Sequence, residues 1–143
     1  MIENQAEIQI EQIPYYLTWK IRQEVLYPDE PITTVQLPED SEGLHFGLYK
    51  GRILVSVISL FEEVNSIQFR KFATLSDYQG KGLGSLLFNH VLEYIRKQNT
   101  TTTEIWCNAR IEAIPFYLKF GLKEDGPHWE VKGRSYKVMK IIL

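Results

Sequence analysis

The sequence predicts a single α+β domain in which a mixed, mostly antiparallel sheet carries helices on both faces, in the order β-α-β-β-β-α-β-α-β-β. Three observations lead there. Alternating apolar segments joined by short turns fill residues 44–74, the mark of hairpin-linked strands. From Gly82 to Gln98 the apolar residues switch to a helical period. A strand and a further helix follow, so a β-α-β-α unit succeeds the hairpins and makes the sheet mixed. At 143 residues, 44% apolar and 24% charged, the chain has the length of one domain and an ordinary globular composition. Disorder is expected only at the first few residues.

Ile8 and Ile10 alternate with Gln9 and Glu11, as in a short strand. Pro14 suits the first turn of a helix through Tyr15, Leu17, Trp19, Ile21, Val25 and Leu26. Pro28, Pro31, Pro38 and Gly43 then punctuate a long irregular segment over residues 27–44, of the kind that is often functional or mobile. Strands follow over 44–49 and 52–62, turning at Lys50-Gly51, and a third over 66–74. In the third, Ile67 and Phe69 alternate with Gln68 and Arg70 until the phase slips at Lys71-Phe72, as a β-bulge or a splayed strand produces. On the long helix, Ser85, Asn89, Glu93 and Lys97 form a narrow polar ribbon, so the rest of its surface is buried against the sheet. Thr100 to Thr103 reads as a connector, 104–108 as a strand, and 111–120 as a helix stopped by Gly121. Two strands over 123–131 and 134–142, joined near Lys132-Gly133, complete the chain.

Several functions are excluded or disfavoured. A net charge of −2 provides no general basic field for nucleic acid or anionic membrane. The single cysteine, Cys107, permits no internal disulfide and has no adjacent base for nucleophilic work. No apolar run approaches the roughly 20 residues of a membrane span, and Met1 to Glu7 lack the regions of a signal peptide. A cytoplasmic protein is the simplest reading. His45, His90 and His128 have no Cys or His partner at ligand spacing, so no metal is expected. Lys20 and Arg22 on the first helix read by default as surface charge, with contact to a substrate or a cofactor phosphate as the alternative, and the three tryptophans as core or interface residues.

The most informative stretch is Gln79-Gly80-Lys81-Gly82-Leu83-Gly84-Ser85, where a strand gives way to the long helix. Glycine brings the backbone close to a ligand. The first helical turn leaves N–H groups unpaired at the positive end of the dipole, which together make a phosphate socket. Lys81 adds charge at its rim. A Walker loop needs its lysine after the last glycine, and both Gly-x-Gly frames lack the third glycine of a dinucleotide fingerprint. By itself, such a turn serves tight packing equally well.

Gln79-x-x-Gly82-x-Gly84 resembles the Arg/Gln-x-x-Gly-x-Gly/Ala signature of the GNAT N-acetyltransferases, with Ser76 where that family usually has proline. Asn108 to Leu122 is similar to a second segment of the family, Asn-x-x-x-x-Ala-x-x-Phe-Tyr-x-x-x-Gly-Phe, with Leu122 replacing the phenylalanine. Arg22-x-x-Val25-Leu26-x-Pro28 resembles a small bacterial subgroup typified by ElaA, whose Gly-Ile-Pro-His near the end is here Gly133-Arg134-Ser135-Tyr136. The resemblance implies a single GNAT-like domain over 1–143, acetyl-CoA as cosubstrate, and direct transfer to a primary amine.

It also implies roles. Residues Gln79, Gly80, Lys81, Gly82, Leu83, Gly84 and Ser85 would bind the pyrophosphate, and backbone groups of Phe72, Ala73 and Thr74 the pantetheine. One of those strand N–H groups would polarise the thioester oxygen, a donor commonly worth about 3–4 kcal/mol. Tyr117 is the expected general acid, although spacing alone favours packing for Phe116 and Tyr117. Asn108 reads equally as a cofactor-contacting amide or a strand end. For the base, Glu62 is chosen over Glu63 and His45, with transfer through water left open. The acceptor is expected to be a small-molecule or peptide amine met by residues 27–43, the first helix and the last hairpin. Asp29, Glu30, Glu39, Asp40 and Glu42 there suit a cationic amine or merely solvate the loop. A homodimer, a longer acyl donor and a non-catalytic acyl-CoA-binding module remain alternatives.

Overall fold

Turn chemistry and period-two alternation place seven strands in one sheet. In the computed structural model, which describes residues 7–98 and 101–143, these are β1 (Ile8–Ile13), β2 (Leu44–Lys50), β3 (Ile53–Glu63), β4 (Ser66–Thr74), β5 (Glu104–Arg110), β6 (Lys123–Val131) and β7 (Arg134–Ile142). Met1–Ala6, read as leader-free, and Thr100 of the connector lie outside the described residues. The sheet order is β1-β2-β3-β4-β5-β7-β6, with every neighbouring pair antiparallel except β4 and β5. The helices are α1 (Trp19–Leu26), α2 (Leu83–Gln98) and α3 (Ile114–Leu118).

The helices divide between the two faces. On one, Leu83, Leu87, Phe88, Val91, Leu92 and Ile95 of α2 bury against Phe46, Ile58, Leu60, Ile67 and Phe69 of the sheet, joined by Tyr117 of α3. On the other, Ile21 of α1 packs with Ile13, Val57 and Ala73. The mixed sheet with helices on both faces is therefore as the sequence predicts. Phe88 holds the first face together: its ring lies 4.9 to 6.0 Å from those of Phe69, Phe72, Phe116, Tyr117 and Phe120. It thereby joins α2 to β4 and α3.

The segment between α1 and β2 is not a plain loop. It contains two 3₁₀ turns, Ile32–Val35 and Asp40–Glu42, and is pinned by Arg22. Arg22 is 0% exposed, a correction to its reading as surface charge. Its guanidinium donates to both carboxylate oxygens of Asp40 at 2.8 and 3.0 Å, to the Val35 carbonyl and to Ser59 Oγ. Trp19 Nε1 and the Leu37 amide donate to the same carboxylate. His45, 3% exposed, spans Ser59 Oγ and the Asp40 carbonyl, so it is structural. A buried arginine needs a matched carboxylate, and Asp40 supplies it instead of facing an acceptor. Burial pushes the Asp40 carboxyl up, but the bonds from Arg22, Trp19 and Leu37, with the Arg22 charge, outweigh it and hold it below its ordinary value.

Candidate active site

The site begins where two strands part. β4 and β5 pair in parallel only through Ser66, Ile67 and Gln68, opposite Glu104, Ile105 and Trp106. Beyond Gln68 they diverge. The cause lies on the other side of β4: between Val57 and Ser59 of β3 the register shifts by one residue, and Lys71 sits at φ 56°. One extra residue bends a strand and increases its twist, so the phase slip seen in the sequence is a bulge that opens a wedge.

Past the bulge, the Leu75 amide donates to the Val55 carbonyl at 2.9 Å and Ala73 stands opposite Val57. Alternation therefore turns the backbone groups of Phe72 and Thr74 toward the wedge and those of Ala73 toward β3. Of the three residues expected to line the opening with backbone groups, Ala73 does not. Gln79 Nε2 donates to the Thr74 carbonyl at 2.7 Å, which leaves the Thr74 N–H facing outward. Gln79 thus closes the turn from strand to helix.

Gly80 and Gly82 have φ of 75° and 81°, and nothing lies within 4 Å of where a Cβ would stand. These positions need glycine for the backbone, and the space beside them is open. Gly84 lies over the strand, its absent Cβ 3.4 Å from Thr74 Oγ1. Helix α2 begins at Leu83, so its first-turn N–H groups have no intrahelical partner. A pocket of about 370 Å³ brings Thr74, Gln79, Gly80, Gly82, Leu83, Gly84 and Ser85 together with Phe116 and Lys119 of the α3 region. That geometry fits a diphosphate. Lys81 is exposed beside it, outside the pocket lining.

Within the wedge a second chamber is lined by Phe72, Asn108 and Tyr117, among others. Tyr117 is almost fully buried, and its hydroxyl is hydrogen-bonded to Cys107. Burial, with the neighbouring thiol, raises the phenol well above its ordinary value, so it stays protonated at neutral pH. Burial likewise pushes Cys107 up to about 12, which makes it inert as a nucleophile. Asn108 is exposed on β5 and lines the wedge. Glu62 lies at the exposed far end of β3, opposite Ile67, and lines neither this chamber nor the adjoining one of the wedge, which Tyr27, Lys71, Trp129 and Tyr136 help to line. Its placement does not support the role of base.

Sequence reasoning missed a group of cations around Tyr27. Lys71 Nζ lies 4.7 Å from the ring centroid and 3.3 Å from the hydroxyl, while the Arg110 and Arg134 guanidinium carbons lie 5.6 and 5.0 Å from the same centroid. Arg110 donates to the Leu26 carbonyl at 3.0 Å. Tyr136, stacked on Trp129, walls the same region. Burial, with the charges of Arg70, Arg22 and Arg110, lowers the Lys71 ammonium to about 8. The signal available in the sequence was the change to Gly133-Arg134-Ser135-Tyr136, which delivers two of these residues.

A wedge between parallel strands, a glycine turn beside it and a buried phenol within it form a recognisable set. Solved structures share the whole fold. Escherichia coli ElaA superposes with a TM-score of 0.79 at 15% identity, covering 94% of this chain and 99% of its own. A GNAT family acetyltransferase from Elizabethkingia anophelis, solved with acetyl-CoA bound, gives 0.71 at 12% identity, covering 95% and 98%. In sequence, the uncharacterized N-acetyltransferase YitI of Bacillus subtilis (strain 168) is 30% identical over 125 residues, covering 81% of this chain and 83% of its own. The family model of the acetyltransferase (GNAT) domain matches residues 22–143, and the chain belongs to that family.

Proposed function

We propose that the protein transfers the acetyl group of acetyl-CoA to a primary amine. The observation that carries the reading is the wedge: the free strand edge at Phe72 and Thr74 runs from the glycine turn to Tyr117. Acetyl-CoA supplies an acyl thioester whose coenzyme leaves as a thiolate. The first-turn amides of α2 hold its diphosphate, and the Thr74 and Phe72 backbone orients the chain between. The acceptor ammonium loses one proton to solvent, and its nitrogen lone pair forms the new C–N bond as the C–S bond breaks. The C–S electron pair leaves on sulfur, which takes the Tyr117 proton; the second amine proton returns to the tyrosine through solvent. Among the described residues no carboxylate lines either chamber of the wedge, which favours water over Glu62 as the first proton acceptor.

Thiol release from acetyl-CoA across a panel of amines tests this reading, with calorimetry of coenzyme A as its companion. Tyr117→Phe is expected to lower turnover by about 10²–10⁴-fold with coenzyme A affinity unchanged. Unaltered turnover removes Tyr117 from the chemistry. Binding without release on every amine points instead to a non-catalytic acyl-CoA module.

A further inference from the structure

We propose that the chamber around Tyr27 is an anion subsite for the acceptor, and that the acceptor is an amine carrying a carboxylate, as a free amino acid does. The inference rests on the acetyl-transfer reading and adds the substrate class to it.

Three cations meet at one ring. Lys71 comes from the bulge of β4, Arg110 from the end of β5 and Arg134 from the start of β7, all within 5.6 Å of the Tyr27 centroid. An aromatic ring has two faces, each of which attracts a cation weakly at exposed sites. Three partly dehydrated charges exceed what one ring can balance. Among the described residues none of the three is ion-paired, whereas Arg22 has Asp40 and Arg70 has Glu39. The acidic residues of the 27–43 segment do not correct this. Asp40 is committed to Arg22, Glu39 to Arg70, Glu30 accepts from Thr34, and among the described residues neither Asp29 nor Glu42 is ion-paired with any of the three cations. Burial first, then the charges of Arg70, Arg22 and Arg110, depress the Lys71 ammonium, as happens to a half-buried cation without a counter-ion.

Position narrows the ligand. Lys71 directly precedes Phe72, whose backbone faces the wedge, so an anion at Lys71 lies within a residue's length of the donor strand. An α-amino acid, with two bonds between nitrogen and carboxyl carbon, bridges that short span. The phosphates of coenzyme A do not use this cluster, since their socket lies beyond Thr74 on the other side of the bulge. A polyamine brings a second positive charge into the chamber, and like charges at close quarters are repelled. Tyr136 and Trp129 leave an aromatic wall for the acceptor's side chain.

The test uses the full chain with acetyl-CoA and the twenty common amino acids, each as free acid and as its amide, alongside spermidine and phosphoethanolamine. For at least one amino acid, kcat/KM of the acid should exceed that of its amide by about 10- to 100-fold, the scale of a charge-assisted hydrogen bond. Arg134→Gln should erase that preference through KM rather than kcat, and Arg134→Lys should restore part of it. Without turnover, calorimetry should show the N-acetylated acid binding more tightly than its amide, a difference lost in Arg134→Gln. The proposal is overturned if amides or spermidine serve as well as the acids, if phosphoethanolamine alone is used, or if no acid reacts although coenzyme A binds. Failure of coenzyme A to bind at all strikes the acetyl-transfer reading itself.

Discussion

Arg22 is fully buried and Lys71 half-buried, and their surroundings are opposites. Arg22 is enclosed with a carboxylate, a hydroxyl and a carbonyl, and it pins the 27–43 segment to the sheet. Lys71 shares the Tyr27 ring with two other cations and has no described anion. In the first region the charge is matched, with Arg22 Nε alone left without a partner among the described residues; the second is half of an interaction. Buried charge that is matched serves the fold, and charge left unmatched beside a cavity marks where a ligand completes the pairing.

The largest expected effect breaks the matched side. Arg22→Met strands the Asp40 carboxylate in the interior, and loss of one partner of a buried pair costs about 3–5 kcal/mol, read as a fall in the urea midpoint. Lys71→Met, by contrast, removes an unmatched charge and keeps the apolar stem. Its stability should equal or exceed that of the parent, within about 1 kcal/mol.

Titration separates the regions further. Burial, partly offset by its bond to the Asp40 carbonyl, lowers His45 below 6.5, and Asp40 stands below 3.8. Both folded values are depressed, so the unfolded chain binds more protons in these windows. Unfolding free energy should therefore decline as pH falls below 6.5, and again below 3.8. Lys71 is depressed from 10.5 to about 8, so its region gains stability as pH rises through that interval. Lys71→Met should abolish the alkaline gain and leave the acid decline. Equal alkaline gains in both proteins would contradict the assignment. The smallest effect belongs to Arg134→Gln, on a half-buried hairpin position, where stability should stay within about 0.5 kcal/mol of the parent.

These regions also differ in how far the sequence disclosed them. Strand β4 and helix α2 were legible to within a residue, because alternation, helical period and the glycine turn all agree there. The bulge was visible as a broken phase at Lys71-Phe72. The Arg22–Asp40 pair was not, since eighteen residues separate the partners and nothing local distinguishes a buried arginine from an exposed one. The Tyr27 cluster was hidden for the same reason: Tyr27, just past α1, and residues of β4, β5 and β7 supply it from positions far apart in the chain. Glu62 was chosen because it ends the strand before β4, but the wedge opens at the other end of β4 from the residues paired with it.

The seam between β4 and β5 has a mechanical meaning. Only three residue pairs join the four-stranded and three-stranded parts of the sheet in hydrogen-bonding register. An extended molecule lying along Phe72 and Thr74 would act as the missing rungs and splice the parts together. Heat tolerance would then track saturation: at a hundredfold excess over the dissociation constant, a ligand specific to the folded state adds about 2.7 kcal/mol. Amide exchange would slow first along that join, so the loaded protein would differ from the empty one chiefly in how firmly its own halves are stitched.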